Sequence, residues 1–235
     1  MPPAVCPHVN ASSATAPRYA VCFAPNPGSL GWLAGSHWLG RCAALLQPLP
    51  QLDIQGVAAE DLVRLTAAPR RQGWRAVLKA PFVLAPGADW ITLHQTVQAL
   101  AHSLEPCALP PMHVERIGDI LALVLAPSHA ANRLLHQAAA ACETQLQPLV
   151  APPSDTDRPD LPPAGRASAL GGFRFHLPIT GSLDLVDAPT QALVLDAAQE
   201  FFSDLPILQF NSLALFAEPA PGADFVLLDH LEMAA

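Results

Sequence analysis

Two stretches of this sequence carry the same order of predicted elements, and this repeat restricts the fold more than any other feature. Residues 73–126 and 173–231 each contain a short apolar or alternating run, a longer amphipathic run and two more short runs. These patterns predict a strand, a helix and two strands in each half. Since identity between the halves is weak, the repeat is one of architecture. The predicted ranges are 74–82, 89–104, 112–117 and 120–126, then 173–180, 190–202, 207–216 and 225–231.

The remaining segments complete the expected organisation. We expect a strand over 19–23, a helix over 32–46 and a helix over 130–146. Residues 1–17 are small and polar and predict a flexible arm, and the Pro-, Asp- and Gly-rich stretch 148–172 predicts an exposed linker. The prediction is an α+β protein in which 18–235 form one two-lobed domain. Its sheets would be mostly antiparallel, with helices outside and a groove between the lobes.

Composition excludes several classes of protein. The chain is 51% hydrophobic and 14% charged, yet its best apolar run, Ile120 to Ala126, is far below the roughly 18 residues that a membrane span needs. The formal net charge of −8 argues against a broad nucleic-acid surface but leaves a small anion site open. Five cysteines without a CxxC pair, and no basic residue before Arg18, predict a reduced cytoplasmic protein. The apolar composition leaves self-association open.

Strand alternation gives the first strand of each half an apolar face, formed by Trp74, Ala76, Leu78 and Ala80 in one half and by Phe173, Phe175, Leu177 and Ile179 in the other. It places basic side chains on the opposite faces. These are Arg75 and Lys79 on one strand and Arg174, His176 and Thr180 on the other, the last two bringing an imidazole and a hydroxyl. With arginines also just upstream, we expect these faces to line the groove and to bind a phosphate-like anion. The alternative is an ordinary solvated face with salt-bridge partners.

The same two strands carry a family resemblance. The segments GWRAVLKAPF at 73–82 and FRFHLPITG at 173–181 resemble the paired motifs of a little-characterised family whose genes occur with phosphonate-degradation genes. That family belongs to the two-histidine phosphoesterase superfamily. The similarity extends over nearly the whole chain from Arg18 onward, and the order of the motifs agrees.

The resemblance implies a specific chemistry, and this sequence departs from it. The superfamily places a His-x-Thr or His-x-Ser motif on each of two strands, with one histidine as general base, the other as general acid, and hydroxyls on the phosphate oxygens. Here Arg75 and Val77 stand at the first motif, whereas His176 and Pro178 stand at the second. One of four motif residues is retained. An arginine cannot shuttle protons near neutral pH, because its pKa lies above about 12.

We therefore expect a catalytically degenerate relative that binds a phosphate-bearing small molecule, with a role in phosphonate metabolism implied only by the resemblance. Two alternatives stay open: a phosphodiesterase that uses His176 as its sole acid or base, and a non-enzymatic partner of a pathway enzyme. No cofactor is expected, and the spacings of His94 with His102 and of His129 with His136 do not fit a metal site. His113 and Glu115 share a strand face that could line the same groove, but ordinary surface side chains with satisfied hydrogen bonds are the favoured interpretation.

Overall fold

The computed structural model describes residues 16–126, 128–152 and 173–234. Helices are interspersed with single strands and with runs of two or three strands along these ranges, and no helix in them combines the length and apolar character needed to cross a bilayer. The strands are β1 (Arg18–Phe23), β2 (Arg41–Cys42), β3 (Gln47–Pro48), β4 (Ala76–Val83), β5 (Cys107–Ala108), β6 (Met112–Ile117), β7 (Ile120–Leu125), β8 (His176–Pro178), β9 (Gln209–Phe210), β10 (Ser212–Glu218) and β11 (Val226–Glu232). The helices are α1 (Leu30–Leu39), α2 (Ala59–Gln72), α3 (Trp90–His102), α4 (His129–Leu146) and α5 (Ala188–Ser203).

The two halves of the repeat exchange their first strands. The larger sheet has the order β11-β10-β1-β4, so the first strand of the first half shares a sheet with the last two strands of the second half. The smaller sheet has the order β6-β7-β8, so the first strand of the second half pairs with the hairpin of the first half. All these pairings are antiparallel. The prediction of an α+β fold with antiparallel sheets is confirmed.

One apolar core joins both sheets to the helices. It contains Trp74, which precedes β4, Ala76 and Leu78 of β4, Leu177 of β8, and Ile179, which follows β8. These are the residues that strand alternation assigned to the apolar face, so that part of the prediction is confirmed. Burying this continuous apolar surface is the main force that holds the two sheets together. A second, smaller apolar cluster that includes Phe216 and Phe225 covers the opposite face of the larger sheet.

Several element boundaries differ from the prediction. Helix α1 ends at Leu39 rather than at 46, because Gly40 adopts a left-handed φ of 73° and the chain turns there into β2. Helix α2 was not predicted, since it is largely polar and has Pro69 in its last turn. The strand predicted over 173–180 is ordered as a strand only over β8. Most of the predicted arm 1–17 and linker 148–172 lies outside the described residues.

Candidate functional site

Arg75 lies at the junction of α2 and β4, on the face of the larger sheet opposite the main core. Gly73, with a φ of 81°, turns the chain from the helix into the strand. The Arg75 side chain is 2% exposed, and its guanidinium carbon lies 4.1 Å from the centre of the Phe225 ring and 4.5 Å from that of Phe216. Its Nη2 donates to Oε1 of Gln72 at 2.6 Å. The residue therefore sits in a closed, aromatic environment rather than facing an open groove as expected.

The remaining donors of Arg75 are unusual. Its Nε and Nη1 atoms are buried and have no hydrogen-bond partner among the described residues. Burial is the largest influence on this group and lowers the pKa of Arg75 from its ordinary value. Cation–π contact with two rings offsets part of the cost of removing a guanidinium from water.

Lys79, four residues along β4, is also occupied within the protein. Its side chain is 7% exposed and forms an ion pair with Glu143 of α4. The Nζ atom also donates to Oε1 of Gln147 at 3.4 Å. Lys79 therefore matches the alternative that the sequence left open, a strand residue with an ordinary salt-bridge partner.

The segment that enters β8 presents Arg174 and His176. The Nη2 atom of Arg174 donates at 2.8 Å to each carboxylate oxygen of Glu115 on β6, and about half of both side chains is exposed. His113, on the same strand as Glu115, lies 3.8 Å from it. Arg174, Glu115 and His113 thus form one polar group at the small sheet, and His176 lies two residues along the chain from Arg174.

The hydrogen bond of His176 determines the state of its ring. Its Nδ1 lies 2.8 Å from the main-chain oxygen of Arg174. Because a carbonyl oxygen can only accept, Nδ1 carries the proton, and the neutral ring then has its lone pair on Nε2. Burial lowers the pKa of His176 below its ordinary value of 6.5. At neutral pH the imidazole is accordingly uncharged, with Nε2 as a base and hydrogen-bond acceptor.

Thr180 has a structural partner. It is 1% exposed, and its hydroxyl oxygen accepts the main-chain N–H of Leu121 at 2.8 Å. The contact ties the end of β8 to the start of β7. A ligand would reach this hydroxyl only if the strand ends separated.

The predicted site residues thus fall into two groups on different sheets. Arg75 and Lys79 lie beside or within a strand of the larger sheet, whereas Arg174, His176 and Thr180 lie beside or within a strand of the smaller one. Within the described ranges, no hydrogen bond or ion pair joins one group to the other. In the same ranges, no cluster of three or more His, Cys, Asp or Glu side chains is arranged to hold a metal ion.

The sequence analysis missed a buried carboxylate. Glu218, at the end of β10, is 0% exposed and accepts hydrogen bonds from Arg18 at 2.5 Å and from Arg71 at 2.9 Å. Nearby, Arg41 is 7% exposed and pairs with Asp224 at 3.3 Å. A single acidic residue directly after the apolar run LALFA is the signal that could have indicated it, because buried carboxylates need paired cations.

Comparison with known proteins identifies similar chains. A family model described as "Protein of unknown function (DUF1045)" matches residues 77–226. A protein of Janthinobacterium sp. (strain Marseille), named ribose 1,5-bisphosphate phosphokinase PhnN, is 33% identical over 94% of this chain and 51% of its own length. A protein of the same name from Laribacter hongkongensis is 35% identical over 89% of this chain and 50% of its own. The chain therefore spans about half the length of these relatives.

Comparison with solved structures finds chains with a similar layout. A structure described as a phosphoesterase overlaps 94% of this chain and all of its own at a TM-score of 0.47 and 12% identity. E. coli LigT complexed with NADP+ overlaps 94% of this chain and all of its own at a TM-score of 0.44 and 13% identity. These overlaps are too weak to indicate the chemistry of this chain.

Proposed function

We propose that this chain, which belongs to the DUF1045 family by its match over residues 77–226, binds a phosphate-bearing small molecule with little or no turnover. The binding residues are Arg174 and His176 at the edge of the small sheet. A role in phosphonate metabolism is part of the same proposal and rests on the resemblance of the two strand motifs.

The observation that carries the proposal is the arrangement of Arg174 and His176. Arg174 is about half exposed and uses Nη2 for Glu115, so its other N–H groups have no hydrogen-bond partner among the described residues. His176 is held by its Nδ1, which directs Nε2 away from the main chain. A guanidinium with free donors beside a fixed imidazole suits a protonated phosphate or phosphoester, because the first donates to anionic oxygens and the second accepts from a hydroxyl.

The structure supports binding over two-histidine hydrolysis. That reaction needs a second proton-transfer group, and each such group contributes about 10²–10⁴-fold in rate. Arg75, at the position of the first histidine, cannot supply it, since a guanidinium stays protonated and this one is enclosed by Phe216 and Phe225. Val77 and Pro178 lack the hydroxyls that would stabilise a transition state.

The kinase activity in the relatives' names is not carried over to this chain. The sequence contains no GxxxxGK[ST] loop of the kind that cradles nucleotide phosphates. Its single lysine, Lys79, is buried against Glu143. We accordingly propose that this chain matches one half of these longer relatives. That half binds a phosphate compound and does not transfer phosphate from a nucleotide.

The test is binding and turnover of a panel of cyclic phosphodiesters and of inorganic phosphate, measured by calorimetry and by product analysis. The variants are Arg174→Ala and His176→Ala, with Arg64→Ala as a control that also removes an exposed arginine paired with a carboxylate. We expect saturable binding without product, weakened at least about tenfold by Arg174→Ala, because hydrogen bonds to charged groups contribute about 1.5–3 kcal/mol. Equal binding by Arg174→Ala and Arg64→Ala would contradict the proposal.

A second candidate is a phosphodiesterase in which His176 acts as sole base. It is favoured by the neutral ring with its lone pair on Nε2. This candidate predicts product that disappears in His176→Ala, and a rate that increases as pH rises through the pKa of His176 and then levels off, because only the deprotonated ring is a base. If the unaltered chain neither binds nor converts any of these compounds, both candidates are contradicted and the non-enzymatic partner role is left.

A further inference from the structure

A cavity lies beside helix α2. It has a volume of about 470 Å³ and is formed by one face of α2 and the segment 49–57. Most of its wall is apolar, with Leu52, Ile54, Val57, Leu62 and Val63 as the larger side chains. The volume falls within the range of about 300–1,000 Å³ that is usual for small-molecule sites. None of the residues of the proposed phosphate site lines it.

One face of α2 forms a wall of this cavity. Ala59, Leu62, Val63 and Arg70 of α2 all line it, and their spacing places them on one face of the helix. At 1.5 Å per residue, the distance from Ala59 to Arg70 along the helix is about 16 Å. Apolar side chains thus occupy one end and the middle, and a guanidinium occupies the other end.

The charge at that end is uncompensated. The guanidinium of Arg70 is half-buried and makes no hydrogen bond or ion pair with any residue that the structure describes, whereas the adjacent Arg71 is paired with Glu218. Asp53 also lines the cavity, but it is exposed and its carboxylate forms no ion pair with Arg70. The amide nitrogen of Gln51 is already bound to the Trp38 carbonyl and the Thr66 hydroxyl.

We propose that this cavity is a binding site for an amphipathic anion: a small molecule with a carboxylate or phosphate head and a linear aliphatic body. The head binds Arg70, whose planar guanidinium matches the two oxygens of such groups. The aliphatic body lies along Val57, Leu62 and Val63, where it buries apolar surface from water. The site is independent of the proposed phosphate site on the small sheet.

The experiment measures binding of four ten-carbon probes to the full chain by calorimetry. Decanoate and decyl phosphate carry the two candidate head groups, while decanol and decyltrimethylammonium provide the neutral and cationic comparisons. The variants are Arg70→Gln, which removes the charge, and Val63→Trp, which narrows the cavity at a side chain that is 43% exposed. Arg133→Gln, an exposed position on α4 away from the cavity, is the matched control, and His176→Ala separates this site from the proposed function.

We expect at least one of the two anions to bind saturably, with decanol and decyltrimethylammonium at least tenfold weaker. Arg70→Gln and Val63→Trp should each weaken that binding at least tenfold, and Arg133→Gln should leave it unchanged. Decanoate carries no phosphate for the proposed phosphate site, so its binding should also be unchanged in His176→Ala. Which anion binds more tightly identifies the head group. Binding of decanol as tight as that of the anions, no loss in Arg70→Gln, no loss in Val63→Trp, or no binding of either anion to the unaltered chain would each overturn the proposal.

Discussion

Replacing Glu218 by glutamine tests whether one buried carboxylate holds the arginine-rich end of the larger sheet. The side chain accepts three hydrogen bonds: Arg18 Nε to one oxygen at 2.5 Å, and Arg71 Nη1 and the Gly222 N–H to the other, both at 2.9 Å. Glutamine has nearly the same shape. If its oxygen keeps Arg71 and Gly222, its amide nitrogen faces the Nε–H of Arg18, which places two donors against each other.

The expected loss of stability depends on the interactions that Glu218→Gln removes and on how far water can replace them. Breaking a fully buried ion pair costs about 3–5 kcal/mol, and one hydrogen bond to a charged group about 1.5–3 kcal/mol. Glu218 is 0% exposed, but its partners are not fully buried, with Arg18 at 16% and Arg71 at 26%. Both arginines regain part of their hydration when the carboxylate is neutralised. We therefore expect Glu218→Gln to lower the free energy of unfolding by about 2–4 kcal/mol.

Urea-induced unfolding followed by circular dichroism measures this change. Asp224→Asn is the control, because that carboxylate pairs with Arg41 in the same region but is 57% exposed. Exposed pairs contribute about 0–1 kcal/mol, so the control should lose less than about 1 kcal/mol. A loss in Glu218→Gln as small as that in Asp224→Asn would refute the reasoning that burial makes Glu218 the main organiser of this end of the sheet.

Three further predictions concern a buried histidine, a close helix contact and the ring of the proposed site. Burial lowers the pKa of His230 to about 4. Between pH 4 and 6.5 the unfolded chain therefore binds more protons at this residue than the folded chain does. The free energy of unfolding should then rise with pH across this range, by up to about 3 kcal/mol. Urea unfolding across this range should show a smaller rise in His230→Gln, and an equal rise in both proteins would contradict this origin. Gly35→Ala should lower the free energy of unfolding by at least about 1–3 kcal/mol in the same assay, because a Cβ there would lie 1.9 Å from the Trp74 ring. A loss below about 0.5 kcal/mol would contradict this close contact. Nitrogen-15 NMR of His176 should show a proton on Nδ1 and a pKa below 6.5, and a proton on Nε2 would remove the basis of the sole-base candidate.

The order of elements could be predicted from the sequence, and so could the apolar face of each strand. Local alternation identified Leu78 and Leu177 as core residues, and both lie in the main core. Helix α2 could not be found in this way, because its surface is mostly polar and only a narrow stripe, including Leu62 and Leu65, is buried. Such a helix is stabilised by tertiary packing more than by its own pattern.

The candidate site shows the same division. Alternation put His113 and Glu115 on one strand face, and the structure pairs Glu115 with Arg174. It could not show that Thr180 binds the N–H of Leu121, since that partner is fixed only when β8 joins β7.

The sequence by itself determined the repeated strand-helix-strand-strand order, because the spacing of apolar side chains reflects backbone geometry within a few residues. Only the tertiary structure decided that the first strands of the two halves exchange sheets, since strand pairing depends on contacts between residues far apart in the chain. That exchange places β4 beside β1, in the same sheet as β10, and Phe216 of β10 and Phe225 enclose Arg75. Whether a strand residue faces water or a closed pocket is set by what packs over it, and the elements that pack here come from the other end of the chain.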